Sequence, residues 1–414
     1  MNAPASRTYD HCRAWVAAGH QVTVVSCVPH HPMGKVFPGY RNRLVQREVR
    51  DGIQAVKVLT YVTANEGFVK RTCNYVFYML MAIAVAPFLP RADVVISTSP
   101  QFFNGLAGYF VSRLKRCPWV LEVRDLWPES IVAVGALTNP RAIRALQAME
   151  RFAYRKADHI VPVTRPFAVH IENVTKRSGS PATSPVDNQA ISVIPNGVDL
   201  RLFTDRAPNE AYAARAGIAG KFVASYVGTH GMAHGLDTLL DAAELLRDRS
   251  DIVFVMAGDG AERQRLQAAI RARTLDNVKM LGQLPKEEMP DLWSCSGASL
   301  VLLKKQDLFT TVIPSKIFES MAMKKPIILG VRGEAQRIIT ESGSGICIEP
   351  QNAGDLAAAV RRLADDPALR QRLGNAGYDY VRTNYDRSVL AAQYEALLRE
   401  TSVNRRKQRS GAGA

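Results

Sequence analysis

Short runs rich in apolar and β-branched residues recur along the chain at His20–Val28, Gly52–Leu59, Ala92–Thr98, Pro118–Val123, His159–Val163 and Ile191–Ile194. Stretches with helical spacing, such as Thr8–Ala18 and Pro140–Lys156, stand between them. Alternation of this kind predicts crossover units and a mainly parallel, doubly wound sheet. A second cycle starts at Lys221 with FVASYVG and a Gly-rich loop, then a helix over Leu236–Asp248 and the run IVFVMAG. It continues with a helix over Glu262–Thr274, VKMLG, a helix near Glu287–Trp293, SLVLL, a helix over Lys316–Met323 and PIILG. Helices are predicted to close the chain at Ala353–Ala364, Ala368–Arg382 and Arg387–Arg399. The polar, Ser/Pro-rich stretch 176–189 predicts a mobile surface loop. The basic stretch 402–414 has no apolar face and predicts a disordered tail. The chain opens in a helix rather than a buried strand, so a start further upstream, or a first domain lacking a central strand and its phosphate-facing turn, is expected.

A length of 414 residues suits two α/β domains. With 47% hydrophobic and 22% charged residues, disordered, collagenous and disulfide-stapled classes are excluded. The six cysteines form no C-x-x-C pair, so they read as buried thiols in a reducing compartment. No charged-then-apolar leader opens the chain, which points to a cytoplasmic protein. The uncharged segment Cys73–Leu89 is near the lower length for a membrane span; Asn74, Tyr75, Tyr78 and Pro87 favour a buried or interfacial helix.

The formal charge of +15 is uneven: residues 1–180 carry 23 Lys/Arg against 11 Asp/Glu, and residues 181–414 carry 30 against 27. The basic half predicts an anionic partner such as a lipid phosphate or an acidic membrane leaflet, with a plain solvated basic surface as the alternative. No finger, helix-turn-helix or aromatic nucleic-acid motif accompanies the charge, so nucleic acid is not an expected partner.

Three motifs carry chemistry. Gly228-Thr229-His230-Gly231-Met232-Ala233-His234-Gly235 follows a strand and opens a helix, where backbone amides can cradle a diphosphate and the two histidines can add a donor or a cation. In Pro314–Ala322 the proline marks a helix start, Ser315 and its neighbouring amides suit an anion, Lys316 adds positive charge, and Glu319 lies almost one turn on, where a carboxylate can accept two ribose hydroxyls. An amphipathic helix with Lys and Glu on its wet face is the competing reading. Arg124-Asp125-Leu126-Trp127-Pro128-Glu129 directly follows PWVLEV, at the strand end where parallel sheets place ligands. Ser99, after ADVVIST, stands at another such edge. No Asp-x-Asp and no His/Glu cluster at ligand spacing is present, so neither a metal nor a cofactor is expected.

Taken in order, Gly228…Gly235-Leu236-x-x-Leu239-Leu240-x-Ala242, Ala257-Gly258-Asp259-Gly260, Leu281-Gly282, Pro314–Ala322, Lys325-Pro326-Ile327 and Gly343-x-Gly345-Ile346-x-Ile348-Glu349-Pro350 resemble the donor domain of glycosyltransferase family 4. Gly19-His20-x-Val22-Thr23-Val24, Pro29-x-x-Pro32, Arg124–Ser130 and Pro195-Asn196-Gly197-Val198-Asp199 are similar to its WbuB-like branch of amino-sugar transferases. The resemblance covers residues 3–399. It implies an α/β chain of GT-B fold, with two Rossmann-like domains whose parallel sheets face a cleft. The expected divisions are 1–197 for an acceptor domain, 198–385 for a nucleotide-sugar domain, 386–400 for a helix returning to the first domain and 401–414 for the tail.

By the same resemblance Gly228, Thr229, His230, Gly231, His234, Gly258, Ser315, Lys316 and Glu319 bind the donor. Trp127, Ser99 and Asn196 bind the acceptor, and Asp125, Glu129 and Arg124 orient or deprotonate its hydroxyl and hold its phosphate. The family's usual Glu-x7-Glu would put its first acid at Thr311, and its usual phosphate-loop Arg and Lys fall at Thr229 and His234. The implied activity is retaining transfer of a sugar, N-acetylated in that branch, from UDP to a polyprenyl-diphosphate-linked or growing glycan acceptor at the inner face of the membrane. A nucleotide-sugar epimerase and a truncated binding protein are the alternatives.

Overall fold

The computed structural model describes residues 3–30, 34–63, 68–99, 102–133, 137–176 and 190–411. The expected mobile loop at 176–189 lies, past Lys176, outside them. The chain divides into two compact units, Met1–Pro195 with Ser388–Ala414, and Asn196–Arg387.

Unit 1 runs α1 (Ala3–Ala17), β1 (Thr23–Cys27), β2 (Val45–Arg50), β3 (Ile53–Val58), α2 (Phe68–Val85), β4 (Val95–Thr98), α3 (Phe102–Lys115), β5 (Trp119–Val123), α4 (Glu129–Ala133), α5 (Pro140–Lys156), β6 (His159–Pro162), α6 (Arg165–Lys176) and β7 (Ala190–Ile191). Its strands form a parallel sheet β4-β5-β6-β7 and a three-stranded sheet β1-β3-β2, in which β2 is antiparallel to β3. β5 is buried at every position, whereas β1 is half-buried throughout.

Unit 2 runs α7 (Glu210–Arg215), β8 (Phe222–Val227), α8 (Asp237–Leu245), β9 (Ile252–Ala257), α9 (Arg263–Ala272), β10 (Val278–Gly282), α10 (Met289–Cys295), β11 (Ala298–Leu302), α11 (Lys316–Ala322), β12 (Ile327–Gly330), α12 (Glu334–Ser342), β13 (Gly345–Cys347), α13 (Ala353–Asp365) and α14 (Pro367–Asn384), before α15 (Arg387–Gly411). Its sheet, β10-β9-β8-β11-β12-β13, is parallel at all five strand pairs. One face buries Val223, Val253, Val255 and Val301; the other buries Ala224, Phe254, Met256 and Leu300. Burial on both faces explains why these strands read as continuous apolar runs. Strand order reverses beside β8, between β9 and β11, which makes the carboxyl ends of β8 and β11 the expected ligand position.

Of the stretch expected to be a disordered tail, residues 402–411 are instead the end of α15, and the last three lie outside the described residues. Its early turns bury Leu390, Tyr394 and Leu397 against Trp15, Val120 and Val161 of unit 1, and the Trp15 indole donates to the Ala391 carbonyl at 3.0 Å. Beyond residue 400 the contacts are polar: Thr401 is buried and Arg405 pairs with Asp158 at 3.3 Å. Apolar periodicity cannot register such contacts. The Cys73–Leu89 segment falls on α2, whose Asn74, Tyr78 and Ala82 are buried. No described helix is long and apolar enough to cross a membrane.

Candidate functional site

In unit 2 the loops after β8 and β9 interlock. Gly228 and Gly258 have φ of +140° and +139°, and a Cβ on Gly258 would lie 1.8 Å from the Gly228 carbonyl oxygen. Glycine is therefore required where the two loops touch. Gly228 N–H donates to the Ala257 carbonyl at 2.9 Å, Gly258 N–H to Gly282 at 2.7 Å and His230 N–H to Asp259 at 2.9 Å. These bonds seat the His230 ring in full burial, tilted against Tyr226 with centroids 6.0 Å apart. His234 meets the same tyrosine edge-on, also at 6.0 Å.

Lys316, the first residue of α11, completes the group. Its Nζ stands 3.8 Å from the centre of the Tyr226 ring and is buried with no hydrogen-bond partner among the described residues. A Cβ on Gly228 would come within 2.9 Å of it. Both ring nitrogens of His230 and Nδ1 of His234 likewise lack partners among the described residues. Burial lowers Lys316 to about 7 against the opposing pull of Glu319. Burial, helped by the Lys316 charge, lowers His234 to about 4, and burial lowers His230 as well. Of the two roles open to the histidines, donor or cation, neutral imidazoles leave that of donor, and the positive charge available to the site is that of Lys316. Lone buried ammonium groups are costly, so a site of this kind favours an anion.

Of the other predicted donor residues, Glu319 lies one turn along α11 and is half-buried, while Thr229 and Ser315 are exposed. Ser315 makes no side-chain cap bond. Gly231 stands beside His234: a Cβ on it would lie 3.5 Å from the imidazole ring. Sequence reasoning missed Tyr226, the ring that Lys316, His230 and His234 share. Its hydroxyl donates to the Thr229 carbonyl at 2.8 Å, which fixes the ring under the loop. An aromatic on an apolar strand gives no separate signal.

In unit 1 the loop after β5 is held from β4. Ser99 Oγ accepts from the amides of Arg124 at 2.7 Å and Asp125 at 3.3 Å, so its hydroxyl positions the loop. Asp125 accepts from Ser130 Oγ at 3.2 Å, and burial raises its pKa. Ser99, Asp125, Trp127, Glu150 and Tyr154 line one cavity. The Trp127–Pro128 peptide is cis. Arg124 points toward Glu122, 3.9 Å away.

Glu122 is buried and paired with Arg7 at 3.2 Å. Burial alone would raise its pKa, but Arg7 and Arg124 outweigh that and hold the carboxyl low. Asn196, the first residue of unit 2, has its Oδ1 buried without a partner among the described residues.

The fold also assembles a group that sequence spacing hides. Glu129, Glu150 and His170 bring ligand atoms within 4.8 Å of one another. His170 Nε2 is 3.3 Å from Glu150 and 3.9 Å from Glu129. The hydrogen bond to Glu150 raises the histidine pKa, with burial opposing. Burial, then the neighbouring Glu150, raises Glu129. A protonated His170 has no lone pair for a cation and instead neutralises the two carboxylates.

Two family models match consecutive parts of the chain. Residues 2–197 match the glycosyl transferase 4-like domain, and residues 209–380 match glycosyl transferases group 1. A protein of Escherichia coli strain K12 named as a colanic acid biosynthesis glycosyl transferase, WcaI, is 24% identical over 92% of both chains. Among solved structures, sucrose-phosphate synthase from Thermosynechococcus elongatus superposes with a TM-score of 0.74 at 20% identity, covering 97% of this chain and 94% of that one. Anabaena HepE in complex with UDP-glucose gives 0.61 at 17% identity, covering 83% and 86%. With both domain models matched in order along two Rossmann-like α/β units, the chain belongs to glycosyltransferase family 4, of GT-B fold.

Proposed function

We propose that this glycosyltransferase moves an N-acetylated hexose from UDP to a lipid-linked or growing glycan acceptor during bacterial surface polysaccharide synthesis, with retention at the anomeric carbon. The observation that carries the donor side is the buried Lys316 ammonium over Tyr226, which has no hydrogen-bond partner among the described residues. It sits at the carboxyl end of the sheet, beside glycine loops that admit a diphosphate. As the glycosidic bond breaks, charge grows on the leaving diphosphate; Lys316 and loop amides stabilise it where it develops. Neutral His230 and His234 donate hydrogen bonds to the same oxygens, and Glu319 accepts from the ribose. The UDP-glucose complex of HepE supports a uridine donor, and the name of WcaI supports the polysaccharide setting.

On the acceptor side, Asp125 and Glu129 are the candidate bases, since burial raises both carboxyls toward neutral pH, where a base is most effective. Trp127 stacks on a sugar ring and Arg124 holds an acceptor phosphate in this reading. No step is assigned to a metal or cofactor.

Calorimetry with UDP, GDP and CDP tests the donor assignment. UDP is expected to bind most tightly and to lose affinity in Glu319→Ala; equal affinity for GDP, or an unchanged UDP affinity in that variant, overturns it. For the acceptor side, Asp125→Asn is expected to cut sugar transfer far more than UDP binding, and equal losses would remove that role.

A further inference from the structure

Tyr226 is the last residue but one of β8, fully buried, just before the Gly-rich loop. Its hydroxyl donates to the Thr229 carbonyl at 2.8 Å. Burial raises the phenol far from neutral pH, so this bond, and the place of the ring under the loop, do not change as pH varies around 7.

Three nitrogen-bearing side chains meet that ring. Lys316 Nζ stands over its face, 3.8 Å from the centre. His230 and His234 lie beside it at interplanar angles of 41° and 68°. The face of an aromatic ring carries negative potential and attracts an ammonium group, most strongly where water is excluded. Since Nζ is buried without a hydrogen-bond partner among the described residues, this attraction stands in for the hydrogen bonds the ammonium would make in water.

The substitute is incomplete. Burial holds Lys316 at about 7, against the opposing charge of Glu319 on its own helix. The other titratable groups around it are the two neutral imidazoles of the loop and, beside His230, Asp259 and Arg263. Above pH 7 the side chain is therefore mostly a neutral amine over an aromatic face. Diphosphate oxygens brought near Nζ favour its charged form.

We infer that Tyr226 is a positioning residue for the nucleotide donor: its ring face holds the Lys316 side chain at the loop that receives the diphosphate, and the nucleotide binds with uptake of a proton by Nζ. The proton comes from solvent and goes to the amine lone pair. Tyr226 itself acts through Lys316 and touches no donor atom. The inference rests on the proposed placement of the diphosphate at Lys316.

Calorimetry of the full chain with UDP at pH 8, in two buffers of different ionisation heat, counts the protons taken up. With Lys316 at about 7 in the free protein, uptake close to one proton is expected, and none in Lys316→Met. Tyr226→Phe keeps the ring face and should bind UDP within about threefold of wild type. Tyr226→Leu removes the face and should bind about five- to thirtyfold more weakly. In the Lys316→Met background, with no cation left to hold, the same change should cost less than about twofold. Phenylalanine fluorinated at three ring positions keeps the shape of the ring but drains the negative potential of its face. At residue 226 it should bind UDP several-fold more weakly than Tyr226→Phe, which decides the matter even if Tyr226→Leu fails to fold. UDP binding without proton uptake, uptake that survives in Lys316→Met, a Tyr226→Leu loss of the same size in both backgrounds, or equal affinity of the Phe and fluorinated variants would overturn the inference and leave UDP as the donor nucleotide. No UDP binding by the wild type would overturn the donor assignment, and the inference with it.

Discussion

A cluster of buried charge in unit 1 and another in unit 2 are built in opposite ways. In unit 1, Arg7 and Glu122 are buried together, and Arg7 also donates to the Ile194 carbonyl at 2.9 Å; buried Glu150 is likewise paired, with the half-buried His170. In unit 2, Lys316, His230 and His234 keep buried nitrogens without hydrogen-bond partners among the described residues. A satisfied buried pair fixes geometry, whereas an unsatisfied cation costs stability until something anionic arrives. The contrast separates scaffolding from ligand site by physical criteria, independently of any motif. It predicts that removing a charge from unit 1 destabilises the fold, while removing one from the unit 2 site weakens binding and spares the fold.

The largest expected effect is on unit 1. Arg7→Ala removes the nearest countercharge of the buried Glu122 carboxylate, and breaking a buried pair costs about 3–5 kcal/mol. Denaturant unfolding should show that loss, with a partial recovery in Arg7→Ala/Glu122→Gln as the stranded charge is removed. A change below about 1 kcal/mol would show that the pair is not what holds β5 against α1.

Next is Lys316→Met. A charge-assisted bond to phosphate is worth about 1.5–3 kcal/mol, so UDP affinity should fall roughly ten- to hundredfold while the ligand-free fold is unharmed or more stable. The pH dependence carries the same message. Burial lowers Lys316 from 10.5 to about 7, so between those values the unfolded chain binds the proton and the folded chain does not. Stability should therefore rise across that window and bear the full penalty below it. Lys316→Met should abolish that rise. A variant that instead unfolds easily would place Lys316 with the scaffolding charges and remove the contrast.

How much of this was legible in the sequence follows the same division. The strands of unit 2 stand out because both faces are buried, and Gly228 and Gly258 stand out because their φ values need glycine. β2 escaped notice: VQREVR is exposed at nearly every position, and an edge strand on solvent carries no apolar pattern. α6 and α12 were also not anticipated. Pairings distant in sequence, such as Arg7 with Glu122 or Glu150 with His170, leave no local trace. Motif reasoning reached Lys316, His230 and His234 but not Tyr226, since an aromatic in a strand looks the same whether it fills a core or floors a site. It left the histidines as donors or cations, and their burial favours the donor role.

A moderate effect is expected for His170→Asn. The hydrogen bond to Glu150 raises the histidine above its ordinary 6.5, so its stabilising contribution is complete below that value and is lost as pH rises through the raised one. About 1–2 kcal/mol should disappear in the variant at pH 6, and much less at pH 9. UDP affinity should not change. A loss independent of pH would mean that His170 acts by packing rather than by neutralising Glu129 and Glu150.

The smallest effect concerns the end of α15. Arg405 and Asp158 form a partly exposed pair at 3.3 Å, and such pairs contribute about 0.2–1 kcal/mol. Arg405→Ala should cost no more than that and should leave UDP binding untouched. The informative readout is local: amide exchange in the turns beyond Thr401 should quicken in the variant, while Leu390–Leu397, buried against Trp15 and Val120, stay protected. Fast exchange beyond Thr401 already in the wild type would mean that the polar contacts do not hold those turns. The helix would then end, in effect, where its apolar stripe ends.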